Sequence, residues 1–282
     1  MVKKIIITGI LLFVIFNAML YLLPIKKRFV YTDVEKSERF LYAGRKFSVI
    51  TAGSSLIGNF TFETEKRKNY FNLSLPPSGG CTGVKILALT NNIPDTLYLE
   101  TNYISRGFNN VLIDGLLDKR SYYAKLIFPA LQEQNKFFPL IIDKFKSGNT
   151  AQASKRKPKD ELFLKLFAST KEEYSKPVNL VSYNKTLREL KKHLEYLSAK
   201  GTFIAFFEVP IEHDLVNSPK LVSQRQALKT AFADKKYNWI QPDTINRYYT
   251  GDGKHLLEES FVRFTRYFKT QCNLLKQQGK KQ

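Results

Sequence analysis

The chain has 282 residues, 43% of them hydrophobic, enough to bury one good-sized core with room for a small appendage. Lys and Arg number 45 against 25 Asp and Glu, a formal charge of +20 that favours a polyanion or an anionic membrane surface as neighbour. No helix-turn-helix, zinc-finger or RNA-recognition pattern accompanies that charge and the basic residues are scattered, so nucleic acid is set aside as a partner.

Read from the amino terminus, residues Ile5 to Leu23 form an apolar run interrupted only by Thr8, Gly9 and Asn17 and closed by Pro24. That is about the length needed to cross a bilayer, and residues 1–28 are predicted to be a membrane anchor. No small-residue cleavage pattern follows, which favours an uncleaved anchor over a signal peptide. Lys3 and Lys4 on one side and Lys26, Lys27 and Arg28 on the other leave the charge rule undecided. Short amino-terminal tails usually stay in the cytoplasm, so the globular part is expected outside the cytoplasmic membrane.

From Lys46 onward, β-rich runs alternate with helical stretches. This predicts an α/β fold over 29–282: a three-layer α/β/α sandwich with a mainly parallel sheet. The expected strands are Phe47 to Ala52, Tyr70 to Ser74, Thr96 to Glu100, Thr202 to Val209 and Tyr237 to Ile240, each aromatic or β-branched in character. Leu187, Leu190, Leu194 and Leu197 repeat at helical spacing before Gly201, and Leu257, Phe261, Phe264, Phe268, Cys272 and Leu275 make the stripe of a closing helix. A helical insertion is predicted over about 103–182. Its basic stretch, Lys155-Arg156-Lys157-Pro158-Lys159, reads either as part of a lid or docking surface or as a solvated loop. Cys81 and Cys272 have no metal-ligand spacing, leaving one disulfide or two free thiols open, and neither a metal nor a cofactor is called for.

Chemistry in an open parallel sheet gathers at the carboxyl ends of the strands. Gly53-Ser54-Ser55-Leu56 follows the first strand, so Ser55 stands where a nucleophile is well placed. After the second strand come Gly79 and Gly80, where a main-chain N–H can approach a reacting carbonyl without a side chain in the way. After the third comes Asn102, whose side-chain amide can donate to an oxyanion. Asp252-Gly253-Lys254-His255, before the closing helix, sets a carboxylate three residues ahead of an imidazole, as an orienting acid and general base require. Each piece also has an ordinary reading: Gly-Ser-Ser as a loop, Asp252 as a helix cap, Asn102 as a turn closer. Their order along the chain favours the joint reading. Of the other histidines, His193 reads as structural, and His213 as a surface residue or a contact at the cleft.

These four blocks resemble those of the SGNH or GDSL hydrolase superfamily over roughly Phe47 to Leu275. The resemblance implies Ser55 as nucleophile, His255 and Asp252 as base and acid, and an oxyanion hole made of the Ser55 amide, Gly79 or Gly80, and Asn102. Ser54 stands in place of the family's usual aspartate, and Glu100 and Tyr103 in place of the glycine and aspartate that flank its asparagine. The Gly-Ser-Ser start, the membrane span and Glu208-Val209-Pro210 look like the membrane-anchored branch that D-alanylates teichoic acids or O-acetylates exopolysaccharides. The resemblance therefore implies an acyl-serine enzyme that takes an acyl group from a donor, with a multi-span membrane protein as partner, and passes it to an envelope polysaccharide or anionic polymer. An esterase or deacetylase of the same fold and a non-catalytic carbohydrate-binding or scaffold subunit are the alternatives.

Overall fold

The computed structural model describes residues 1–22, 32–60, 69–136 and 158–279. In chain order its elements are α1 (Val2–Leu22), α2 (Asp33–Leu41), β1 (Val49–Gly53), β2 (Tyr70–Ser74), α3 (Gly79–Leu89) and β3 (Thr96–Glu100), followed by α4 (Asn110–Leu117), α5 (Lys119–Ile127), α6 (Glu161–Tyr174) and α7 (Leu180–Ala199). They close with β4 (Phe203–Phe207), α8 (Pro219–Ala231), β5 (Tyr237–Trp239) and α9 (Glu258–Gly279). The chain is thus α/β. It divides into two compact units, one of Met1–Gly44 with Asn110–Gln152, the other of Arg45–Asn109 with Ala153–Gln282.

The second unit holds a five-stranded sheet in the order β2-β1-β3-β4-β5, every pair parallel. Parallel strands buried on both faces read as continuous apolar runs, as Phe203–Phe207 (Phe-Ile-Ala-Phe-Phe) does. Alternation sends neighbouring side chains to opposite faces. Tyr98 stacks edge-on against Phe268 of α9 at 5.4 Å, whereas Leu99 packs under Gly80 of α3, so helices cover the sheet on both sides. Phe264 and Phe268, from the stripe the sequence predicts for the closing helix, pack with Phe60 and with Phe207 of β4 in an aromatic cluster between sheet and α9. The order of strands reverses at β1, which has β2 on one side and β3 on the other, the kind of switch point where loops diverge at the carboxyl edge.

Several boundaries differ from expectation, the ends of the first and fifth strands, at Gly53 and Trp239, by one residue each. The first strand begins at Val49, because Phe47 leaves the ladder to pack its ring on Phe71 at 4.9 Å. The fourth ends at Phe207, since Glu208 turns out to meet Arg225. The insertion expected over 103–182 is shared between the units, with α4 and α5 in the first and α6 in the second. Its basic stretch at 155–157 lies outside the described residues, as do Pro24 and the cations at 26–28. Cys81 and Cys272 are both buried and are not joined in a disulfide.

In the first unit α1 is the one described helix long and apolar enough to span a membrane. Its 21 residues are about 32 Å long at 1.5 Å per residue, close to the thickness of a hydrocarbon core. Thr32 caps α2 by accepting the Glu35 N–H, and the buried Glu38 of that helix pairs with Lys125 at 2.6 Å.

Candidate active site

Ser55 opens a single 3-10 turn, Ser55–Ile57, immediately past β1, and Ser54 caps that turn by accepting the Leu56 N–H. The turn therefore ends the strand and lifts Ser55 to its carboxyl edge, half-buried. Its Oγ lies 2.9 Å from Nε2 of His255, a residue 200 positions later. His255 Nδ1 lies 2.7 Å from Asp252 Oδ2. The sequence-predicted Ser55, His255 and Asp252 are thus joined in one hydrogen-bonded chain.

The direction of those bonds follows from charge. Partial burial opposes ionisation of Asp252, but hydrogen bonds from the His255 ring, the His255 N–H and the Lys254 N–H outweigh it and hold the carboxyl at about 2. An ionised carboxylate only accepts, so Nδ1 carries the proton and Nε2 presents its lone pair to the Ser55 hydroxyl. This is the tautomer a general base needs.

Four residues that the sequence reading did not select hold the Asp252–His255 loop in shape. Thr170 of α6 donates to the Asp252 carbonyl at 2.8 Å, and Thr250 donates to the buried Glu212 carboxyl while accepting the Gly253 N–H. The Glu212 N–H reaches the Gly253 carbonyl, and Lys254 pairs with Glu173 at 3.0 Å. Gly253 sits at φ +95°, where a side chain is strained, and an added Cβ would meet the Phe167 ring at 2.7 Å. Threonines and carboxylates of this kind carry no spacing signal, so only the folded loop reveals them.

At the start of α3, Gly79 adopts φ +72° and its N–H is committed to the Leu75 carbonyl at 2.7 Å. Gly80 stands in the first turn of α3, where a helix leaves its N–H groups without intrahelical partners, and it is packed too tightly for a side chain: an added Cβ would lie 2.6 Å from Leu99 Cδ1 and 3.4 Å from Gly53 Cα. Of the two glycines, Gly80 is the one whose N–H is not committed to the Leu75 carbonyl. Asn102 is buried and clasps Val209 twice, donating to its carbonyl and accepting its N–H, each at 2.8 Å. A primary amide has two N–H bonds, so one remains beyond that clasp.

Between these blocks lies Glu100, at the end of β3 and 1% exposed. Its Oε2 accepts the Ser54 N–H at 2.7 Å, and its Oε1 has no hydrogen-bond partner. Burial raises its pKa, offset only in part by hydrogen bonds from Ser54 and from the Asn102 main chain. Glu100 thereby ties the nucleophile turn to the strand that carries Asn102. His193 is half-buried on α7, 5.9 Å from the Phe108 ring, and His213 is exposed in a 3-10 turn, so neither joins the triad.

A cavity of about 390 Å³ opens at the carboxyl ends of β4 and β5, lined among others by Thr101, Glu208, Arg225, Trp239 and Gln241. Arg225 grips Glu208 through Nε and Nη2 at 2.8 and 2.5 Å. A wider groove of about 520 Å³ between α7 and α8 is lined by Ser223, Thr230 and Lys191 among others, with no histidine or carboxylate to act as their base.

No protein-family model, curated protein or solved structure matches this chain. The fold and site define a parallel α/β unit carrying a serine–histidine–aspartate triad at its carboxyl edge.

Proposed function

We propose that the chain is a serine acyl-transfer enzyme of the SGNH-hydrolase type, held to the cytoplasmic membrane by α1 with its sheet unit on the extracytoplasmic side. The observation that carries this is the pair of contacts at 2.9 and 2.7 Å linking Ser55, His255 and Asp252. In the proposed mechanism His255 Nε2 takes the Ser55 proton as Oγ attacks the acyl carbonyl. The oxyanion is held by the N–H groups of Ser55 and Gly80 and the remaining N–H of Asn102. His255 then returns the proton to the leaving group of the donor, and the acyl group stays on Ser55. An acceptor hydroxyl, deprotonated by the same imidazole, attacks the ester carbonyl, and as the acyl–oxygen bond breaks His255 returns that proton to Ser55 Oγ, releasing the free enzyme.

The acceptor in this reading is an envelope polysaccharide or anionic polymer. The net charge of +20 would concentrate such a polymer near the site, and Trp239 in the cavity beside Thr101 offers a face on which a sugar ring can stack. A multi-span membrane protein supplies the acyl donor. Water as acceptor, giving an esterase, is the second reading, favoured by the 48% exposure of the His255 side chain. Turnover of p-nitrophenyl acetate with and without added polysaccharide separates the two. Transfer predicts acylated polymer and faster release of p-nitrophenol in its presence, whereas an unchanged rate with free acetate as the sole product supports hydrolysis. Absence of any Ser55-dependent turnover under both conditions contradicts the enzyme.

A further inference from the structure

Helix α5 is unusual in burying none of its residues, although its sequence, Lys-Arg-Ser-Tyr-Tyr-Ala-Lys-Leu-Ile, is apolar towards its end. Tyr123, Leu126 and Ile127 share one face at helical spacing and are 59%, 48% and 58% exposed; Phe128 and Leu131 continue the patch at 37% and 40%. A contiguous apolar face of this kind on a chain in water is a binding surface for something. What it lies beside is α1, itself exposed and apolar along most of its length. Phe128 packs on Phe13 at 5.4 Å, within the same compact unit.

The polar groups of this segment decide what covers it. Inside hydrocarbon, every main-chain N–H and C=O must find a partner within the protein. At the break after α5, where helix carbonyls are orphaned, Tyr21 Oη of α1 lies 3.1 and 2.9 Å from the Leu126 and Ile127 carbonyls. The Ala130 N–H donates to Asn17 Oδ1 at 3.0 Å, and Asn17 Nδ2 returns to the Phe13 carbonyl of its own helix. Asn17, a polar interruption of the span, is thus 5% exposed with both its amide oxygen and its amide nitrogen engaged. The Lys125 carbonyl accepts from Gln132 Nε2, and the Pro129 carbonyl from Asn135 Nδ2. A loop bathed in water needs no such provision.

The order of residue types matches an entry into lipid. Lys119 and Arg120 come first, Tyr122 and Tyr123 next, then Lys125, neutralised by Glu38 of α2, then Leu126 and Ile127 on the approach to the tip at Phe128 to Leu131, with Gln132 to Lys136 leading out. Cations at the headgroups, aromatics at the boundary and aliphatics beneath is the sequence of a membrane interface. Phe13 is eight residues inside Tyr21 on α1, about 12 Å along the axis, so the tip reaches that depth beside the span. Helix α5 is about 14 Å long, too short to cross the roughly 30 Å of a hydrocarbon core.

Resting on the proposal that α1 crosses the membrane, we infer that residues 119–131 form a second membrane element, a re-entrant hairpin whose tip, Phe128 to Leu131, is immersed among lipid acyl chains in the leaflet entered by the Tyr21 end of α1. The hairpin fixes α1 against rotation and makes the anchor two-pronged.

The test reconstitutes the full-length chain, with no other protein, into phosphatidylcholine–phosphatidylglycerol vesicles whose acyl chains are brominated. Tryptophan is added by Phe128→Trp, by Ile127→Trp as a second probe of the tip, and by Leu11→Trp on the exposed side of α1; Trp239 of the parent gives the background. Quenching of the Phe128→Trp and Ile127→Trp proteins about threefold above the parent, comparable with Leu11→Trp, is the expected result. Quenching of Leu11→Trp alone overturns the hairpin while sparing the anchor, and hands the apolar face to a protein partner. Quenching of none of the three overturns the anchor and the hairpin together.

Discussion

Asn102 and Val209 are joined in both directions, with the Asn102 amide donating to the Val209 carbonyl and accepting its N–H, each at 2.8 Å. Asn102 follows β3 and Val209 follows β4, so one side chain splices the carboxyl ends of two adjacent strands. Asn102→Ala removes both bonds and leaves two buried main-chain groups unpaired, at about 1–3 kcal/mol each. In the proposed mechanism it also removes an oxyanion donor, which lowers kcat by about 10²–10³. Thermal melting and acyl-ester kinetics on the same preparation check both effects. A fall in stability with unchanged kcat would assign Asn102 to the splice alone.

Asp252→Asn keeps the shape of the side chain but permits the wrong imidazole tautomer, and kcat is expected to drop about 10⁴-fold. Asp252 is held at about 2, below its ordinary 3.8, so its contribution to stability is complete above pH 3.8 and disappears as pH falls through 2. Any inflection of kcat/KM above pH 4 therefore arises from another group. A pH–rate profile of the wild-type protein checks this, and an inflection that vanishes in Asp252→Asn with kcat otherwise intact would contradict the assignment.

Glu100 shifts the other way. Its folded-state pKa is raised above 4.5, so its stabilising contribution is fully present below that value and is lost as pH climbs through the raised one. Glu100→Gln, which can still accept the Ser54 N–H, should match wild type in Tm at pH 4 and exceed it at pH 8. The gain is about 1.4 kcal/mol for each unit separating folded and unfolded pKa values. Equal melting temperatures at both pH values would show that Glu100 is ionised in its pocket.

Gly253→Ala places a Cβ at φ +95° and 2.7 Å from the Phe167 ring. Strain of about 1–3 kcal/mol is expected, and because Gly253 lies between Asp252 and His255, kcat should fall along with Tm. Circular dichroism melting and ester turnover read the two together; unchanged kcat would show that the triad tolerates a displaced loop.

Much of this architecture is legible in the sequence because it depends on local pattern. Thr96 to Glu100 is fully buried as its composition predicts, and the spacing of Asp252 and His255 is realised as a hydrogen bond. What escaped depends on partners distant in the chain. Nothing near Glu100 announces that Ser54 donates to it from 46 residues away, and Thr170 gains its role only when α6 meets the Asp252 carbonyl. Asn17 looked like a blemish in an apolar run until Ala130, 113 residues on, supplied its donor. The choice between Gly79 and Gly80 rested on which N–H was already engaged, a fact no spacing encodes.

The central claim is that Ser55 becomes covalently acylated with His255 as its base. Intact-protein and peptide mass spectrometry after exposure to a fluorophosphonate tests it most directly. A single adduct on the peptide containing Ser55, absent in Ser55→Ala and in His255→Ala, is the predicted result. A folded wild-type protein that takes up no label, or one labelled equally in His255→Ala, would contradict it.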